Sequence, residues 1–400
     1  MDFWDNKDWR FLRFQLCALG VWPFQKSNLQ KVIGFFVILS VQSITLPEVI
    51  KFTYIWHDME EFADCFPLIG IHYVCTVKWM CCVVNMDKII DLLNMIKSDN
   101  LSAELTAEEH QILRDTGKLN RLFVLAYSIW IYVIAILFLV FVPLMPSMMD
   151  FFMPLNESRP KIIIYHTEYL FDSVEYSWVI LLHQCIISPF PTIIIIATGS
   201  LYCNCCQHAC GMFEVIGYRL KNLDSTIEAA MDKKNVGYRA NEEVFYDSLV
   251  TCEQMHQKML GYVKKFQDIY SVTLCFSMTI SIITLCITGL QAIIKKDEFF
   301  EVIRYVTCGL AEIADVFILC WYGQKLIDSS NYLYFCACQS NWYKYSAKSQ
   351  KVLISMIAKL LTPCSVTLGK LFRVSLECFS TIMKTTMSYF TVINSLREEE

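Results

Sequence analysis

Three long stretches of the chain contain no charged residue, and they limit the possible folds more than any other feature. They span residues 122–149, 176–213 and 269–294. A helix needs roughly 20 predominantly apolar residues to cross a bilayer, because lipid cannot hydrogen-bond the backbone and a helix satisfies its own polar groups. Each stretch is long enough to cross, and the second can continue beyond the bilayer as a cytoplasmic helix.

Four further stretches complete the predicted set of spans. They cover residues 32–56, 62–86, 299–322 and 377–396. The first carries Glu48 and Lys51 near its outer end, where long side chains can reach the membrane surface. The third is interrupted by Arg304, Glu312 and Asp315, which predict either a role in gating or pairing with basic residues that fixes helix packing. The sequence therefore predicts an all-α membrane protein with seven transmembrane helices.

The distribution of basic residues predicts the orientation of these spans. Seven spans divide the connecting segments into two alternating sets, and one set holds 25 of the Lys and Arg residues against 5 in the other. Short basic segments stay in the cytoplasm, so the amino terminus is predicted to be cytoplasmic and the carboxyl terminus external. A G-protein-coupled receptor would show the opposite bias. Of the glycosylation sequons at Asn100 and Asn156, only that at Asn156 lies in a predicted external segment.

Composition and motifs exclude several functional classes. Charged residues form 18% of the chain, below the roughly 25% of a soluble domain, and no basic patch suits nucleic acid. The chain has no zinc-protease motif, no phosphate-binding glycine loop and no nucleophile elbow, so we expect neither an enzyme nor a cofactor. The first 13 residues mix acidic, basic and aromatic side chains, which predicts no cleaved signal peptide.

One cluster of cysteines has the chemistry of a soft metal site. It consists of Cys203, Cys205, Cys206, His208 and Cys210. The spacing matches no zinc module, so reduced thiols or a palmitoylation site are predicted in preference to a metal.

Aromatic and weakly polar residues collect in the external halves of several predicted spans. Such a mixture suits a small, mostly apolar ligand that needs one or two hydrogen bonds. For any single residue, packing between helices is the competing explanation. The candidate ligand-binding residues are His72, Tyr73, Thr76, Ile134, Leu137, Phe138, Phe141, Tyr176, Ile180, His183 and Tyr305.

The last predicted span places mostly small polar residues on one helical face. The spacing of four, three, four and three residues runs through Thr381, Thr385, Ser388, Val392 and Ser395. Such a face could line a pore shared by symmetric subunits, with Val392 and Leu396 as hydrophobic constrictions. Tight helix packing is an equally compatible explanation, because small residues also let transmembrane helices approach closely.

Both ends of the chain resemble insect odorant receptors. Residues 385–396 contain Tyr389 and Phe390 followed by apolar residues, like the Ser/Thr-Tyr-Phe pattern in the family's last helix. Residues 13–25 contain a Leu-Gly-Val-Trp-Pro turn that resembles the family's cytoplasmic opening. The resemblance implies four subunits around one cation pore lined by the last helix, with a ligand site inside each subunit.

The resemblance also implies roles for residues near the carboxyl terminus. The family's narrow hydrophobic gate falls on Val392, with Leu396 one turn on. Ser395 replaces the glutamine common in the co-receptor, and Asn394 stands where the co-receptor is apolar. These differences imply an odour-tuned subunit that joins the co-receptor in a heteromer. Gustatory receptors, whose last helix usually ends in Gln-Phe, are the alternative within the superfamily.

Three regions and a location follow from the same resemblance. Residues 1–322 form a six-helix ligand-binding region with cytoplasmic extensions, residues 323–376 an anchor, and residues 377–400 the pore helix and external tail. The expected partners are a small volatile odorant, the co-receptor and membrane lipid. The expected location is the plasma membrane of a sensory neuron dendrite.

Overall fold

A computed structural model describes five segments of the chain. They are residues 3–153, 164–169, 175–223, 238–369 and 372–398. Asn156, the predicted glycosylation site, lies outside the described residues.

The described residues are almost entirely helical, as predicted. The first six helices are α1 (Lys7–Ala18), α2 (Ser27–Tyr54), α3 (Met59–Val84), α4 (Met86–Asn100), α5 (Ala107–Ile136) and α6 (Val142–Phe152). The next six are α7 (Ser177–Ile187), α8 (Pro189–Lys221), α9 (Tyr238–Ile294), α10 (Phe299–Gln339), α11 (Ala347–Leu360) and α12 (Leu376–Glu398). Short 3-10 turns cover Phe3–Asp5 and Trp342–Lys344, and a π-helical segment, Leu137–Phe141, joins α5 to α6.

Local signals set where several helices begin. The hydroxyl of Thr106 accepts a hydrogen bond from the backbone N–H of Glu109, and the carboxylate of Glu109 accepts one from the backbone N–H of Thr106, a capping box that starts α5. Asp58 accepts from the backbone N–H groups of Glu60 and Glu61 and so caps α3. Such caps satisfy backbone donors that have no partner inside the helix.

Five helical segments are long and apolar enough, by length and composition alone, to cross a membrane. They are Ser27–Tyr54, Met59–Val84, Ala107–Pro146, Trp178–Lys221 and Glu242–Ile294. The other two predicted spans, in α10 and α12, are also helical and pack against α9. The total of seven crossings and the orientation of the termini stay predictions.

Helix α8 forms the centre of the bundle. It packs against α10, α5, α9 and α3, and almost every side chain between Ile194 and Leu220 is buried. A helix that is buried on all sides loses the usual alternation of polar and apolar faces, which explains its long uncharged sequence.

Two helices extend well beyond the thickness of a bilayer. Helix α9 has 57 residues and α10 has 41. At about 1.5 Å per residue they exceed the roughly 30 Å hydrocarbon layer. The predicted division after residue 322 falls within α10, which runs through it as one continuous helix.

A short hairpin, absent from the predicted fold, leads into α12. Strands Thr367–Leu368 and Phe372–Arg373 pair antiparallel, and Gly369 adopts a φ of 52°. The first strand packs against α9, and just after the second strand the backbone approaches α10 at Gly323, where a Cβ atom would stand 2.4 Å from the carbonyl oxygen of Val374. Only glycine permits this approach, which fixes where the last helix begins.

The turn that resembles the family's opening also depends on glycine. Gly20 adopts a φ of 65°, and a Cβ there would lie 2.5 Å from the backbone nitrogen of Gly34 on α2. The indole of Trp79 donates a hydrogen bond to the carbonyl of Leu19 at 3.1 Å, which joins the turn to α3. The amino-terminal helix is thereby packed onto the bundle.

Candidate functional site

The candidate ligand residues differ widely in burial. His72, Ile134 and Tyr305 are buried. Four others are exposed in the single subunit, namely Tyr73, Leu137, Phe141 and Tyr176. Thr76, Phe138, Ile180 and His183 are half-buried.

His183 lies at the centre of one polar group in this region. Its Nε2 is 3.0 Å from the hydroxyl of Ser43 on α2, and its Nδ1 is 3.0 Å from the hydroxyl of Tyr169. Phe138 packs nearby against an apolar cluster that includes Ile44 and Tyr165. Both ring nitrogens are engaged within the protein, so a small ligand would hydrogen-bond to His183 by replacing one of these two hydroxyls beside the apolar walls.

His72 forms a second polar contact on the same side of the bundle. Its Nδ1 is 2.6 Å from Oε2 of Glu48, and both side chains are almost inaccessible. The ring of Tyr165 stacks obliquely on His72, with centroids 5.3 Å apart. The other Glu48 oxygen, Oε1, makes no hydrogen bond within the described part of the chain. The expectation that Glu48 would reach the membrane surface is therefore wrong, because His72 holds it in the interior.

Thr76 belongs to the same side of the bundle, where its hydroxyl accepts a hydrogen bond from Gln42 at 3.3 Å. Helices α2, α3 and α7 thus bring His72, Thr76 and His183 together through partners that sequence reasoning missed. The signal for those partners was weak, because Gln42 and Ser43 are ordinary polar residues within an apolar span.

Tyr305 sits in a different, highly charged group. Its hydroxyl donates to Asp64 at 2.6 Å and accepts from Arg304 at 2.8 Å, while Arg304 also pairs with Glu301 at 3.1 Å. The Nε2 atom of His166 lies 3.4 Å from Arg304. The structure therefore places Tyr305 in an ion-pair network, apart from the apolar walls around Phe138.

A charged cleft of about 290 Å³ opens beside this network. It is lined by Lys51, Asp58, Glu60, Glu61, Asp64, Cys65, His166 and Lys295. Burial, followed by the charges of Arg304, Lys51 and Lys295, lowers the pKa of His166 to about 4. His166 is consequently neutral near pH 7 and can accept a hydrogen bond from a neighbouring cation.

The charges of α10 make specific contacts inside the bundle. Lys78 on α3 donates to Asp315 at 2.6 Å, and the hydroxyl of Tyr127 on α5 donates to the other oxygen of the same carboxylate at 2.8 Å. Glu312 accepts from Ser281 on α9 at 2.7 Å. The prediction that Glu312 and Asp315 pair with basic residues to fix helix packing is confirmed for Asp315, whereas Glu312 accepts its hydrogen bond from a serine hydroxyl.

The last helix presents two different faces. One face packs on the bundle, where Phe379 meets Phe317 with ring centroids 5.4 Å apart and Phe390 lies beside Gly289. The other face is open in the single subunit. It carries Thr381, Ser388, Val392 and Ser395, all exposed, with Val392 52% accessible. Thr385 is half-buried, and the side chain of Leu396 lies outside the described ones.

The cysteine cluster of α8 is part of the core. Cys203, Cys205, Cys206 and Cys210 are free thiols and are buried. His208 points elsewhere, with its Nε2 3.1 Å from Asp99. Among the described residues no group of His, Cys, Asp and Glu could hold a metal ion. The buried positions favour reduced packing thiols over palmitoylation.

Asp99 joins α4 to α8 and α9. Burial opposes its charged form, but hydrogen bonds from His208 and Lys258 hold the pKa of Asp99 below its usual value. A second ion pair lies close by, between Arg219 and Glu109 on α5. These contacts fix the ends of the helices that extend beyond the membrane-length segments.

Comparison with known proteins identifies the class to which this bundle belongs. The profile of the 7tm odorant receptor family matches residues 58–387. The chain belongs to this family, and it is a multi-pass membrane receptor, not an enzyme.

Curated relatives agree with the family. The chain is 21% identical over 286 residues to odorant receptor 13a of Drosophila melanogaster, covering 68% of this chain and 66% of the relative. It is 26% identical over 146 residues to the odorant receptor coreceptor of Ooceraea biroi, covering 36% of this chain and 30% of the relative. The matched regions thus span between about a third and two thirds of these relatives' lengths.

Solved structures show the same fold. The olfactory receptor OR5 of Machilis hrabei in complex with eugenol superposes with a TM-score of 0.79 and 14% identity, covering 97% of both chains. The structure described as OR5 alone superposes with a TM-score of 0.77 and 15% identity, covering 96% of both chains.

Proposed function

We propose that this chain is an odorant-tuned subunit of a ligand-gated, non-selective cation channel. The observation that carries the proposal is the open face of α12, where polar Ser388 and Ser395 flank Val392 although the helix belongs to a membrane bundle. Polar side chains avoid lipid, so such a face requires either water or neighbouring subunits. A pore at the centre of a heterotetramer supplies both.

The ligand site of this proposal lies around His183, His72 and Phe138. These residues combine apolar walls with a few hydrogen-bonding groups, as a small volatile molecule requires. The olfactory receptor OR5 was determined with eugenol, a compound of this class. We assign this chain a ligand that is mostly apolar and carries at least one group able to hydrogen-bond.

The proposed partner is the odorant receptor co-receptor, a protein to which this chain is similar over 146 residues. Ser395 and Asn394 differ from the co-receptor pattern, which supports a tuned subunit within a heteromer. Three regions follow: residues 1–322 bind ligand, residues 323–376 anchor the assembly, and residues 377–400 line the pore. The assembly acts in the plasma membrane of a sensory neuron dendrite.

Co-expression tests this function directly. The chain is expressed with and without the co-receptor, and currents are recorded during exposure to a panel of volatile compounds that includes eugenol. We expect ligand-evoked cation currents that need both chains and differ from those of the co-receptor alone. Responses identical to the co-receptor alone, at verified surface expression of both chains, would contradict the proposal.

Glycosylation tests the proposed orientation. The bias of 25 basic residues against 5 predicts glycan at Asn156 and none at Asn100. Asn156→Gln should therefore abolish the mobility shift caused by glycosidase, whereas Asn100→Gln should leave it unchanged. A shift lost only in the Asn100 variant would reverse the orientation and favour the topology of a G-protein-coupled receptor.

Alanine substitutions test the ligand site. His183→Ala and Phe138→Ala should each weaken odorant potency by about 5- to 150-fold, since losing a hydrogen bond or an apolar wall costs roughly 1 to 3 kcal/mol. Potency is read from dose responses at matched surface expression. Val179→Ala, at an exposed position on the same helix as His183, is the matched control and should not change it. If odorant potency in all three variants equals that of the unsubstituted receptor, the ligand site lies elsewhere in the receptor.

Two further alanine substitutions, at Tyr73 and Tyr305, test how far the ligand site extends. Tyr305→Ala removes a residue of the ion-pair network, while Tyr73→Ala removes an exposed ring on α3. A loss of potency in Tyr73→Ala would place that open surface in the ligand path. A loss in Tyr305→Ala should be accompanied by lower stability, because Asp64 and Arg304 lose their shared partner.

A further inference from the structure

One lysine differs from every other basic residue inside the predicted spans. Lys51 lies 3.8 Å from Glu61, Lys78 pairs with Asp315, and Arg304 pairs with Glu301. Lys384 on α12 is exposed and makes no hydrogen bond or ion pair with any residue that the structure describes. An unpaired ammonium near the middle of a span is costly in lipid, so its surroundings must contain water or an opposite charge.

The position of Lys384 on the helix narrows these choices. Residues three, four, seven and eleven apart lie on one side of an α-helix. Lys384 therefore lies on the same side of α12 as Ser388, Thr391 and Ser395, all of which are exposed. The packed side of the same helix carries buried Ile382. Lys384 thus belongs to the open face, which the proposed function places along the pore.

We propose that Lys384 faces the ion pathway and that its positive charge reduces cation flux through the pore, with a stronger effect on divalent than on monovalent ions. This inference rests on the proposed channel function. At about 1.5 Å per residue, Lys384 lies roughly 12 Å from Val392 along the helix. With the predicted orientation it stands on the cytoplasmic side of the gate, where permeating cations pass after the constriction.

Coulomb's law sets the size and the valence dependence of the effect. A unit charge about 10 Å from a permeating ion in water changes the local concentration of a monovalent cation by about 2-fold and of a divalent cation by about 4-fold. Screening by salt reduces both values. The expected signature is therefore a change in the ratio of divalent to monovalent permeability, together with a change in unitary conductance.

Charge substitutions at Lys384 test the inference in the complete heteromer. Lys384→Gln should raise odorant-evoked calcium permeability relative to sodium by up to about 2-fold, and Lys384→Glu should raise it further. Lys384→Arg keeps the charge and should leave the ratio unchanged. Lys351→Gln is the matched control, because Lys351 is an exposed lysine on α11, outside the predicted spans.

A chemical test avoids variants that fold poorly. Lys384→Cys is co-expressed with the co-receptor and exposed during odorant application to water-soluble thiosulfonates that add either a positive or a negative group. A residue in the ion pathway should respond with opposite changes in conductance to the two reagents. The unsubstituted receptor receives the same treatment, because the chain contains other cysteines.

The outcomes separate this inference from the proposed function. Odorant-evoked currents with the expected shifts support Lys384 in the pathway. Odorant-evoked currents whose permeability ratio and conductance are the same for Lys, Gln, Glu and modified Cys at position 384 would overturn it, while leaving the channel intact. That result would assign Lys384 to a contact with a neighbouring subunit or to the membrane surface. Absence of any odorant-evoked current in the unsubstituted heteromer would instead contradict the channel function.

Discussion

Asp315→Asn is expected to lower the free energy of unfolding by about 3 to 5 kcal/mol, because it leaves the charge of Lys78 buried without a counter-charge. Asp315 accepts from Lys78 at 2.6 Å and from Tyr127 at 2.8 Å, so one carboxylate joins α3, α5 and α10. Only 6% of the Lys78 side chain is accessible, which prevents water from replacing the lost partner. Chemical denaturation of purified receptor in detergent micelles gives the measurement.

A control on the same helix isolates the effect of burial. Asp328 is exposed on α10 and accepts a hydrogen bond from Gln324, so Asp328→Asn should change stability by no more than about 0.5 kcal/mol. Replacing both members of the buried pair, with Lys78→Met added to Asp315→Asn, should recover part of the loss. Equal destabilisation by Asp315→Asn and Asp328→Asn would contradict the role assigned to the buried pair.

Val392→Ser is expected to raise the ligand-free conductance of the heteromer. An apolar ring excludes water from a closed pore, and the smaller, polar side chain of serine makes wetting easier. The difference in transfer free energy between Val and Ser suggests a change of about 1 to 2 kcal/mol, which corresponds to roughly 5- to 30-fold in the balance between closed and open states. Recordings of basal current before odorant is applied give the measurement.

The size of this effect depends on how many gate residues the chain supplies. In a heteromer the co-receptor contributes the rest of the ring, so the basal current is compared with that of the co-receptor alone. Val32→Ser, the same substitution at an equally accessible position on α2, serves as a control because it lies outside the last helix. An unchanged basal current in Val392→Ser, with normal surface expression, would remove Val392 from the gate.

Much of the fold could be predicted because membrane insertion depends on sequence patterns that are local. Uncharged runs of sufficient length indicate helices, and the capping box at Thr106 and Glu109 marks where α5 begins. The central helix was evident from the run 176–213, although the chain turns at Ser188, between α7 and α8. Residues 385–396 carried enough of the family pattern to identify the last helix.

The pairing of buried charges could not be predicted from local patterns. Lys78 and Asp315 are 237 positions apart, and His72 and Glu48 lie on different helices. Each residue on its own is only a polar group in an apolar segment, and its partner depends on how the helices pack. The expectation for Glu48 failed for this reason, since a nearby span boundary suggested the membrane surface while a histidine holds it inside.

The irregular backbone near the candidate ligand site also could not be predicted from regular helical periodicity. Leu137, Phe138 and Phe141 lie in the π-helical segment Leu137–Phe141, just before Pro143. Proline has no N–H group to continue the regular hydrogen-bond ladder, which favours such a local change. The wider turn alters which of these side chains share a face, so ordinary helical spacing misplaces them relative to one another.

Recording from excised membrane patches without nucleotide tests the central claim most directly. Patches are taken from cells that express this chain with the co-receptor, and odorant is applied in the absence of GTP. If ligand binding opens a pore that this chain helps to line, odorant should evoke cation currents whose basal level rises in Val392→Ser and whose conductance changes when Ser395 is enlarged. Currents that require GTP, or that are identical across substitutions at Val392, Ser395 and Leu396, would contradict the account.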